Sequence, residues 1–280
     1  LVSGAAPTDA PMLVIGRIAA LSSNQKETGM SIFTKRLIGA AMGSILMIST
    51  AHAADTLRVR LDWTPWGSQA AFHLAQKKEL FEKYDLDVEL DDGNGSVATV
   101  QIVGNGEYDI GHASLASMAI ARAKGLPVKA FAGFVRKNDI GLLVDADKDV
   151  KGPGDLKGKK LVFTAGSLET PFLDGFLKSG GLTRDDVNLV NVSAAAKAGT
   201  YIAGQADGVF SSAPFLIAVV GDKRPSTSIR FADHGFDFPS FGLFATEETL
   251  ADKPEALGRF ASVVAGTWTY ILDGHEDEAV

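Results

Sequence analysis

The sequence contains no cysteine among its 280 residues, which excludes disulfide bonds, thiol catalysis and cysteine-ligated metals. Runs of basic residues are also missing, and the net charge at pH 7 is −7. An acidic chain without a basic patch is a poor partner for nucleic acid and for anionic membrane surfaces. The Gly-x-Ser-x-Gly turn that places the nucleophile of α/β serine hydrolases does not occur either.

Long apolar runs are scarce as well, and the clearest one lies near the N-terminus. Lys35 and Arg36 precede an uncharged stretch, and Ala51-His52-Ala53 has the small-x-small pattern of a signal-peptidase site. The apolar part, 37–48, is shorter than the roughly 20 residues that span a bilayer. We therefore expect a signal peptide over 30–53, cleaved after Ala53, and a periplasmic protein. A buried core helix is the alternative, and 1–29 is interpreted as an upstream segment outside the domain.

A strand that runs into an aromatic turn and then a helix follows the cleavage site. Leu57, Val59 and Leu61 alternate with two arginines, which is the period of a β-strand with one buried face. The turn Asp62-Trp-Thr-Pro-Trp66-Gly-Ser-Gln69 comes next, and a helical pattern follows it. Ligands of open α/β sheets bind at the carboxyl ends of such strands, although tryptophans at this place are as often ordinary packing residues.

The second half of the sequence repeats the order of the first half. A strand at 160–164 is followed by the polar turn Ala165–Pro171 and a helix. Later, Gly204-x-x-Asp207-x-x-x-x-Ser212 matches Gly106-x-x-Asp109-x-x-x-x-Ser114. Strands that alternate with helices predict parallel sheets covered by helices. The sequence therefore predicts an α/β protein of two similarly wound lobes, with a small-molecule cleft between them.

Several short motifs resemble the periplasmic substrate-binding proteins of ABC importers. They are Asp62–Pro65, Phe72–Phe81, Leu86–Val88, Gly106–Gly111, Asp155–Lys160 and Pro254-Glu255. The resemblance is to the superfamily that binds thiamine-pyrimidine precursors, riboflavin, sulfonates, taurine and nitrate. In the pyrimidine branch an asparagine-rich segment follows Trp-Thr-Pro, whereas Trp66-Gly-Ser-Gln69 stands there in this chain.

The resemblance implies a type II periplasmic-binding-protein fold, in which two lobes joined by two extended crossovers close on a ligand. Lobe 1 would comprise 54–144 and 241–280 and lobe 2 would comprise 145–240, because 145–155 has the composition of a linker. The crossovers would lie near Leu143–Val150 and Ser240–Ala245. Since no finishing strand follows the last helical pattern, a C-terminal truncation is an open expectation.

The resemblance also implies a function without chemistry. A monomer would capture a small aromatic or anionic solute and deliver it to a membrane permease and its ATPase. A ligand-sensing or adaptor domain of the same fold is one alternative. A pyrimidine-biosynthesis enzyme of related fold is another, although such a synthase carries a cysteine-rich motif that this sequence lacks.

The predicted ligand-binding residues fall into two groups, one in each lobe. Tryptophan rings would stack on the ligand, neutral side chains would orient it, and free backbone amides of the second lobe would bind an anionic or carbonyl oxygen. For each serine and threonine, capping its own helix is an equal alternative. The histidines lack metal-ligand spacing, so we expect no metal and no cofactor. The residues are Asp62, Trp63, Thr64, Trp66, Gln69 and Ser114 in the first lobe, and Gly166, Ser167, Thr170, Ser211 and Ser212 in the second.

Overall fold

A computed structural model describes residues 53–279 of the chain. The upstream segment 1–29 and the predicted signal peptide, apart from Ala53, lie outside the described residues. The strands are β1 (Asp55–Arg60), β2 (Leu86–Asp91), β3 (Ile110–Ser114), β4 (Val128–Gly133), β5 (Ile140–Asp145), β6 (Lys160–Phe163), β7 (Asn188–Asn191), β8 (Gly208–Ser212), β9 (Ser226–Arg230) and β10 (Phe241–Thr246). The α-helices are α1 (Ala70–Lys77), α2 (Ser96–Gly104), α3 (Leu115–Ala123), α4 (Leu173–Ser179), α5 (Lys197–Ile202), α6 (Ala213–Val220), α7 (Glu247–Asp252) and α8 (Pro254–Leu272).

The strands form two five-stranded sheets of the same topology. The first has the order β2-β1-β3-β10-β4 and the second the order β7-β6-β8-β5-β9. In each sheet one strand runs against its neighbours: β10 in the first and β5 in the second. The remaining pairs, β1 with β2 and β3, and β6 with β7 and β8, are parallel. This architecture confirms the predicted two-lobed, mostly parallel α/β fold.

The alternation in β1 has the predicted consequence for packing. Leu57 and Val59 are fully buried against the helices of the first lobe. Arg58 and Arg60 point to the other face, where their guanidinium groups lie 4.6 and 5.5 Å from the centre of the Tyr108 ring. Because successive side chains of a strand point to opposite faces, the pattern of β1 fixes which face meets the core.

The repeated Gly-x-x-Asp motif performs the same task in both lobes. Asp109 Oδ2 accepts a hydrogen bond of 2.9 Å from the backbone N–H of Arg58 in β1. Asp207 Oδ2 accepts one of 2.8 Å from the N–H of Lys160, at the start of β6. Each aspartate thus holds the first strand of its lobe by a hydrogen bond to its backbone. The matching Gly-x-x-Asp motifs therefore reflect a repeated architecture and not a pair of binding residues.

The boundary between the lobes needs one correction. The sequence places Ile140–Val144 in the first lobe, whereas β5 pairs with β8 and β9 of the second sheet. The first crossover is therefore 134–139, not Leu143–Val150. The linker-like segment after β5 is a surface turn of the second lobe that ends in a short 3-10 helix at Pro153–Leu156. The chain returns to the first sheet through 235–240, just before β10.

Each lobe has its own aromatic core. In the first lobe Phe81 stacks on Phe260 of α8 at a centroid distance of 5.2 Å. In the second lobe Phe176 of α4 stacks on Phe231 at 4.0 Å. Within the described part of the chain, no helix is long and apolar enough to cross a membrane.

Candidate functional site

The carboxyl ends of the parallel strands of the two lobes face one another across a nearly closed cleft. The turn after β1 and the start of β10 contribute from the first lobe, and the end of β8 and the turn after β6 contribute from the second. A cavity of about 10 Å³ remains between them, which is the space of about one water molecule. Its lining residues are Asp62, Trp63, Trp66, Leu168, Ser211, Ser212, Phe215 and Phe241.

Aromatic rings fill most of the cleft. Phe215 of α6 reaches across from the second lobe and meets Trp63 and Trp66 edge-on, at centroid distances of 6.5 and 5.6 Å. Phe241 meets Trp66 in the same manner at 5.7 Å. Trp63 is almost fully buried, and the indole N–H of Trp66 has no hydrogen-bond partner. The rings therefore offer flat apolar surfaces and one unused donor.

Asp62 is a buried carboxyl group at the base of the first-lobe wall. Its Oδ1 accepts a hydrogen bond of 3.2 Å from Gln69 Nε2, and its Oδ2 accepts one of 3.0 Å from Ser96 Oγ. Burial raises the pKa of Asp62 to about 7, although both hydrogen bonds act in the opposite direction. Asp62 is consequently a carboxyl group that changes its charge near neutral pH.

His112 of β3 lies beside this carboxyl group but is not its counter-ion. Its Nδ1 is 3.9 Å from Asp62 Oδ1, and its ring stacks on Phe241 at 5.4 Å. Burial lowers the pKa of His112 to about 3, so the imidazole is neutral at physiological pH. Both His112 Nδ1 and Gln69 Oε1 are buried without a hydrogen-bond partner. The contact between His112 and Asp62 is therefore one between polar groups and not a salt bridge.

The second-lobe wall contains a buried ion pair. Lys197 Nζ of α5 lies 2.8 Å from Glu169 Oε1 and 3.2 Å from Ser167 Oγ, and the Ser167 hydroxyl donates to Glu169 Oε2. All three side chains are fully buried. The ammonium group also lies 5.0 Å from the centre of the Trp63 ring, which belongs to the other lobe. This cluster therefore links the two lobes directly.

A second buried carboxyl group, Asp139, lies where the two crossovers meet. Its Oδ2 accepts a hydrogen bond of 2.5 Å from Ser212 Oγ, and its Oδ1 accepts from Ser240 Oγ of the other crossover. Burial raises the pKa of Asp139, and its charge contributes to the raised pKa of Asp62. The two carboxyl groups thus disfavour simultaneous ionisation.

Five of the predicted site residues line the cavity, and the others lie outside this lining. Asp62, Trp63, Trp66, Ser211 and Ser212 line the cavity. Gln69 holds Asp62 from behind, and Ser167 belongs to the ion-pair cluster. Thr64 is exposed and lies outside the lining. Ser114 accepts from Ser117 N–H as the N-cap of α3, which is the alternative role considered for it.

Two of the three predicted amide donors of the second lobe are already used within their own turn. The N–H of Ser167 donates to the carbonyl of Thr164, and the N–H of Thr170 donates to the carbonyl of Ser167. Gly166 uses its carbonyl, which accepts a 3.0 Å hydrogen bond from Val97 N–H of α2 in the first lobe. The N–H groups of Ser167 and Thr170 are thus used inside a tight turn, whereas the N–H of Gly166 as a donor to an anionic oxygen stays a prediction.

Sequence reasoning missed several groups of the cleft. Phe215 and Phe241 lie in or beside apolar segments that predict core packing, and nothing local distinguishes the two that face the cleft. Lys197 gave a usable signal, because it is the single charge in the small-residue segment 193–200. A lone charge among residues that pack closely predicts a buried ionic group, since such charges are buried only with a partner.

The comparisons with known proteins agree with this architecture. Residues 66–279 match the model of the family described as NMT1/THI5 like. A putative thiamine biosynthesis protein of Haemophilus influenzae is 28% identical over 87% of this chain and 77% of its own length. The formylaminopyrimidine-binding protein of Halalkalibacterium halodurans is 24% identical over 81% of this chain and 68% of its own length.

A solved structure supports the fold at lower sequence similarity. The alkanesulfonate-binding protein SsuA from Xanthomonas axonopodis pv. citri, bound to MOPS, superposes with a TM-score of 0.64. It is 16% identical, and the match covers 80% of this chain and 76% of that chain. The family match extends over about three quarters of the sequence, and the chain accordingly belongs to the NMT1/THI5-like family, with the two-lobed fold of periplasmic binding proteins.

Proposed function

We propose that this protein is the solute-binding component of an ABC-type importer. It captures a small flat molecule, either an aromatic heterocycle or an organic anion, between its lobes and delivers it to a membrane permease. The observation that carries the proposal is the aromatic cleft, in which Trp63 and Trp66 of one lobe meet Phe215 of the other. Flat rings gain most from such walls, because aromatic surfaces stack on one another.

The small size of the cavity indicates how capture proceeds. Sites for small molecules usually measure about 300–1,000 Å³, whereas the cleft contains about 10 Å³. A solute therefore enters only when the lobes separate, and it is retained when they close on it. Because the solute binds the closed arrangement better, it shifts the population towards that arrangement. The closed form is the one that would dock on the permease.

Among ligand classes, a nitrogen heterocycle of the pyrimidine kind is favoured by the polar lining. Two buried carboxyl groups with raised pKa values, Asp62 and Asp139, lie at or beside the cavity. In their protonated form they donate a hydrogen bond, and in their ionised form they accept one from an amine. The name of the relative from Halalkalibacterium halodurans also points to a pyrimidine.

A thermal-shift panel tests the proposal, with formylaminopyrimidine, riboflavin, MOPS and benzoate as probes. A probe at 100 times its Kd stabilises the folded state by about 2.7 kcal/mol, which raises Tm by roughly 5–10 °C for a domain of this size. Small-angle scattering should then show a smaller radius of gyration with the probe, and mass spectrometry should recover the probe unchanged. Chemical conversion of the probe would instead favour the synthase alternative.

Export to the periplasm as a monomer is part of the same proposal. The expectation of export rests on the basic, apolar and small-residue pattern of 30–53. N-terminal sequencing of the protein recovered from the periplasmic fraction should begin at Ala54. A protein that retains 30–53 and stays in the cytoplasmic fraction would contradict this part of the proposal.

A further inference from the structure

The ion pair between Lys197 and Glu169 is difficult to explain by stability alone. Lysine is almost never fully buried unless it is paired, and both side chains here have no exposed surface. Buried ion pairs gain about as much from their attraction as they lose in desolvation, and apolar replacements are often neutral or stabilising. A pair of this kind at the edge of a binding cleft therefore points to a role in binding.

The hydrogen bonds of this ion pair leave one N–H donor of Lys197 unused. Glu169 Oε1 accepts from Lys197 Nζ and from the N–H of Thr164, and Oε2 accepts from the Ser167 hydroxyl. The carboxylate is thus occupied by groups of its own lobe. An ammonium group has three N–H donors, and Lys197 uses one on Glu169 and one on Ser167. One donor remains.

The direction of that remaining donor is set by Trp63. The indole ring of the first lobe covers the ammonium group at 5.0 Å, while the same ring lines the cavity. Glu169 and Ser167 lie on the second-lobe side of the ammonium group, so its free side faces the first lobe. When the lobes separate, Trp63 leaves the ammonium group and exposes one unused, charged donor in the second-lobe wall.

We propose that Lys197 is the polar anchor of the second lobe, and that a solute places a hydrogen-bond acceptor on it while its ring stacks on Trp63. The inference rests on the proposed function and specifies the solute class. The solute is a flat ring that carries a carbonyl, a ring nitrogen or a carboxylate at its edge. Hydrogen bonds from an ammonium group to such acceptors are about twice as strong as neutral ones. A ring whose edge carries only cationic donors is disfavoured, because it meets a like charge.

Calorimetric binding to a double variant, Lys197→Met with Glu169→Gln, tests the anchor. The double change is needed because Lys197→Met alone leaves the buried Glu169 charge unpaired, which destabilises the fold. The probes are formylaminopyrimidine and benzoate, which carry acceptors, and benzamidine, which has the shape of benzoate with a positive charge. We expect the double variant to bind the probes with acceptors at least 10-fold more weakly than the original protein, with Tm changed by only a few degrees.

The matched control makes the same exchanges at the far end of the first sheet. Lys253 Nζ and Asp109 Oδ1 form an ion pair of 2.8 Å beside β1. Lys253→Met with Asp109→Asn keeps the hydrogen bond that Asp109 accepts from Arg58, so we expect probe affinities like those of the original protein. Benzamidine should bind the original protein more weakly than benzoate does, and it should gain relative to benzoate in the Lys197→Met, Glu169→Gln variant.

The possible outcomes separate the anchor from the proposed function. If benzoate and formylaminopyrimidine bind the double variant as well as the original protein, the anchor is wrong and the binding function stands. The anchor is also wrong if all three probes weaken by the same factor, because that indicates a distorted lobe. If no probe binds the original protein at millimolar concentration, the proposed function fails and the anchor fails with it.

Discussion

At the scale of single residues, the cleft depends on groups whose charge responds to pH. Burial raises the pKa of Asp62 to about 7, from a usual value of 3.8. The folded protein therefore binds a proton at pH values where the unfolded chain has lost it. By linkage, this contribution makes the folded state less stable as the pH rises from about 4 to about 7, and it is constant above that range.

Asp62→Asn is the variant that isolates this effect. The neutral histidine His112 acts with the opposite sign between about pH 3 and 6.5, because burial lowers its pKa to about 3. The pH dependence of the original protein is thus a sum of opposed contributions. The difference in unfolding free energy between the two proteins removes the His112 part.

Urea unfolding from pH 5 to pH 8 measures that difference. We expect the original protein to lose stability relative to the Asp62→Asn variant as the pH rises, by up to a few kcal/mol in total. Asparagine retains an oxygen for the Gln69 donor and an amide group for Ser96 Oγ, so the variant should fold. The same difference at every pH would contradict an uncharged or partly charged Asp62 in the folded state.

At the scale of elements, α2 is the part of the first lobe that touches the second lobe through backbone atoms. Gly95 precedes α2 with a φ of +138°, and a Cβ built on it would lie 2.4 Å from the carbonyl oxygen of Gly166. The N–H of Val97 donates to that same oxygen at 3.0 Å. The missing Cβ of Gly95 thus allows this close backbone contact between the lobes.

Gly95→Ala should therefore open the molecule without touching a solute. The added methyl group collides with Gly166, so we expect a larger radius of gyration in small-angle scattering and a weaker affinity for any probe that binds. Gly106→Ala is the control, because Gly106 also has a positive φ, +82°, but has open space around its Cβ position. Both variants lose stability through backbone strain of about 1–3 kcal/mol. A radius unchanged in Gly95→Ala would show that the contact does not hold the lobes together.

Elements were also the scale at which the sequence was most informative. Three features could be predicted from the sequence because they depend on local spacing and capping chemistry. They are the alternation in β1, the N-cap Ser114 of α3 and Pro254 at the start of α8. The lobe to which β5 belongs could not be predicted from the sequence, since strand pairing is non-local. Lys197 and Glu169 lie 28 positions apart, so their ion pair has no local signature beyond the isolated charge.

Several predicted residues line the cavity between the lobes, while their role in binding stays a prediction. Ligands of α/β sheets bind at the carboxyl ends of strands, and Trp63 and Trp66, which follow β1, line the cavity. The turn after β6 looked equally suited to offer amides, but the N–H groups of Ser167 and Thr170 are used within the turn. Composition reveals that a turn exists, whereas the hydrogen bonds inside it depend on dihedral angles that the composition leaves open.

At the scale of the whole molecule, the lobes move only as far as the two crossovers allow. The crossovers lie side by side: Ser240 N–H donates to the Val135 carbonyl at 2.9 Å, and Asn138 Nδ2 donates to the Phe236 carbonyl at 2.7 Å. Asp139 of the first crossover accepts from Ser240 of the second and from Ser212 of β8. One carboxyl group therefore ties both crossovers to the second lobe.

Asp139→Ala and Asp139→Asn should differ in unfolding free energy, and the difference measures the hydrogen bonds that Asp139 accepts from Ser212 and Ser240. Alanine leaves two buried hydroxyl groups without their acceptor, which costs about 1–3 kcal/mol for each group left unpaired. Asparagine keeps one acceptor and offers its amide group to the other hydroxyl, so urea unfolding should show a much smaller loss. Because burial raises the pKa of Asp139, its ionised form is disfavoured in the folded state, and the original protein should gain stability relative to the Asp139→Asn variant as the pH falls. No loss of stability in either variant at any pH would mean that the crossovers are held by their backbone hydrogen bonds alone.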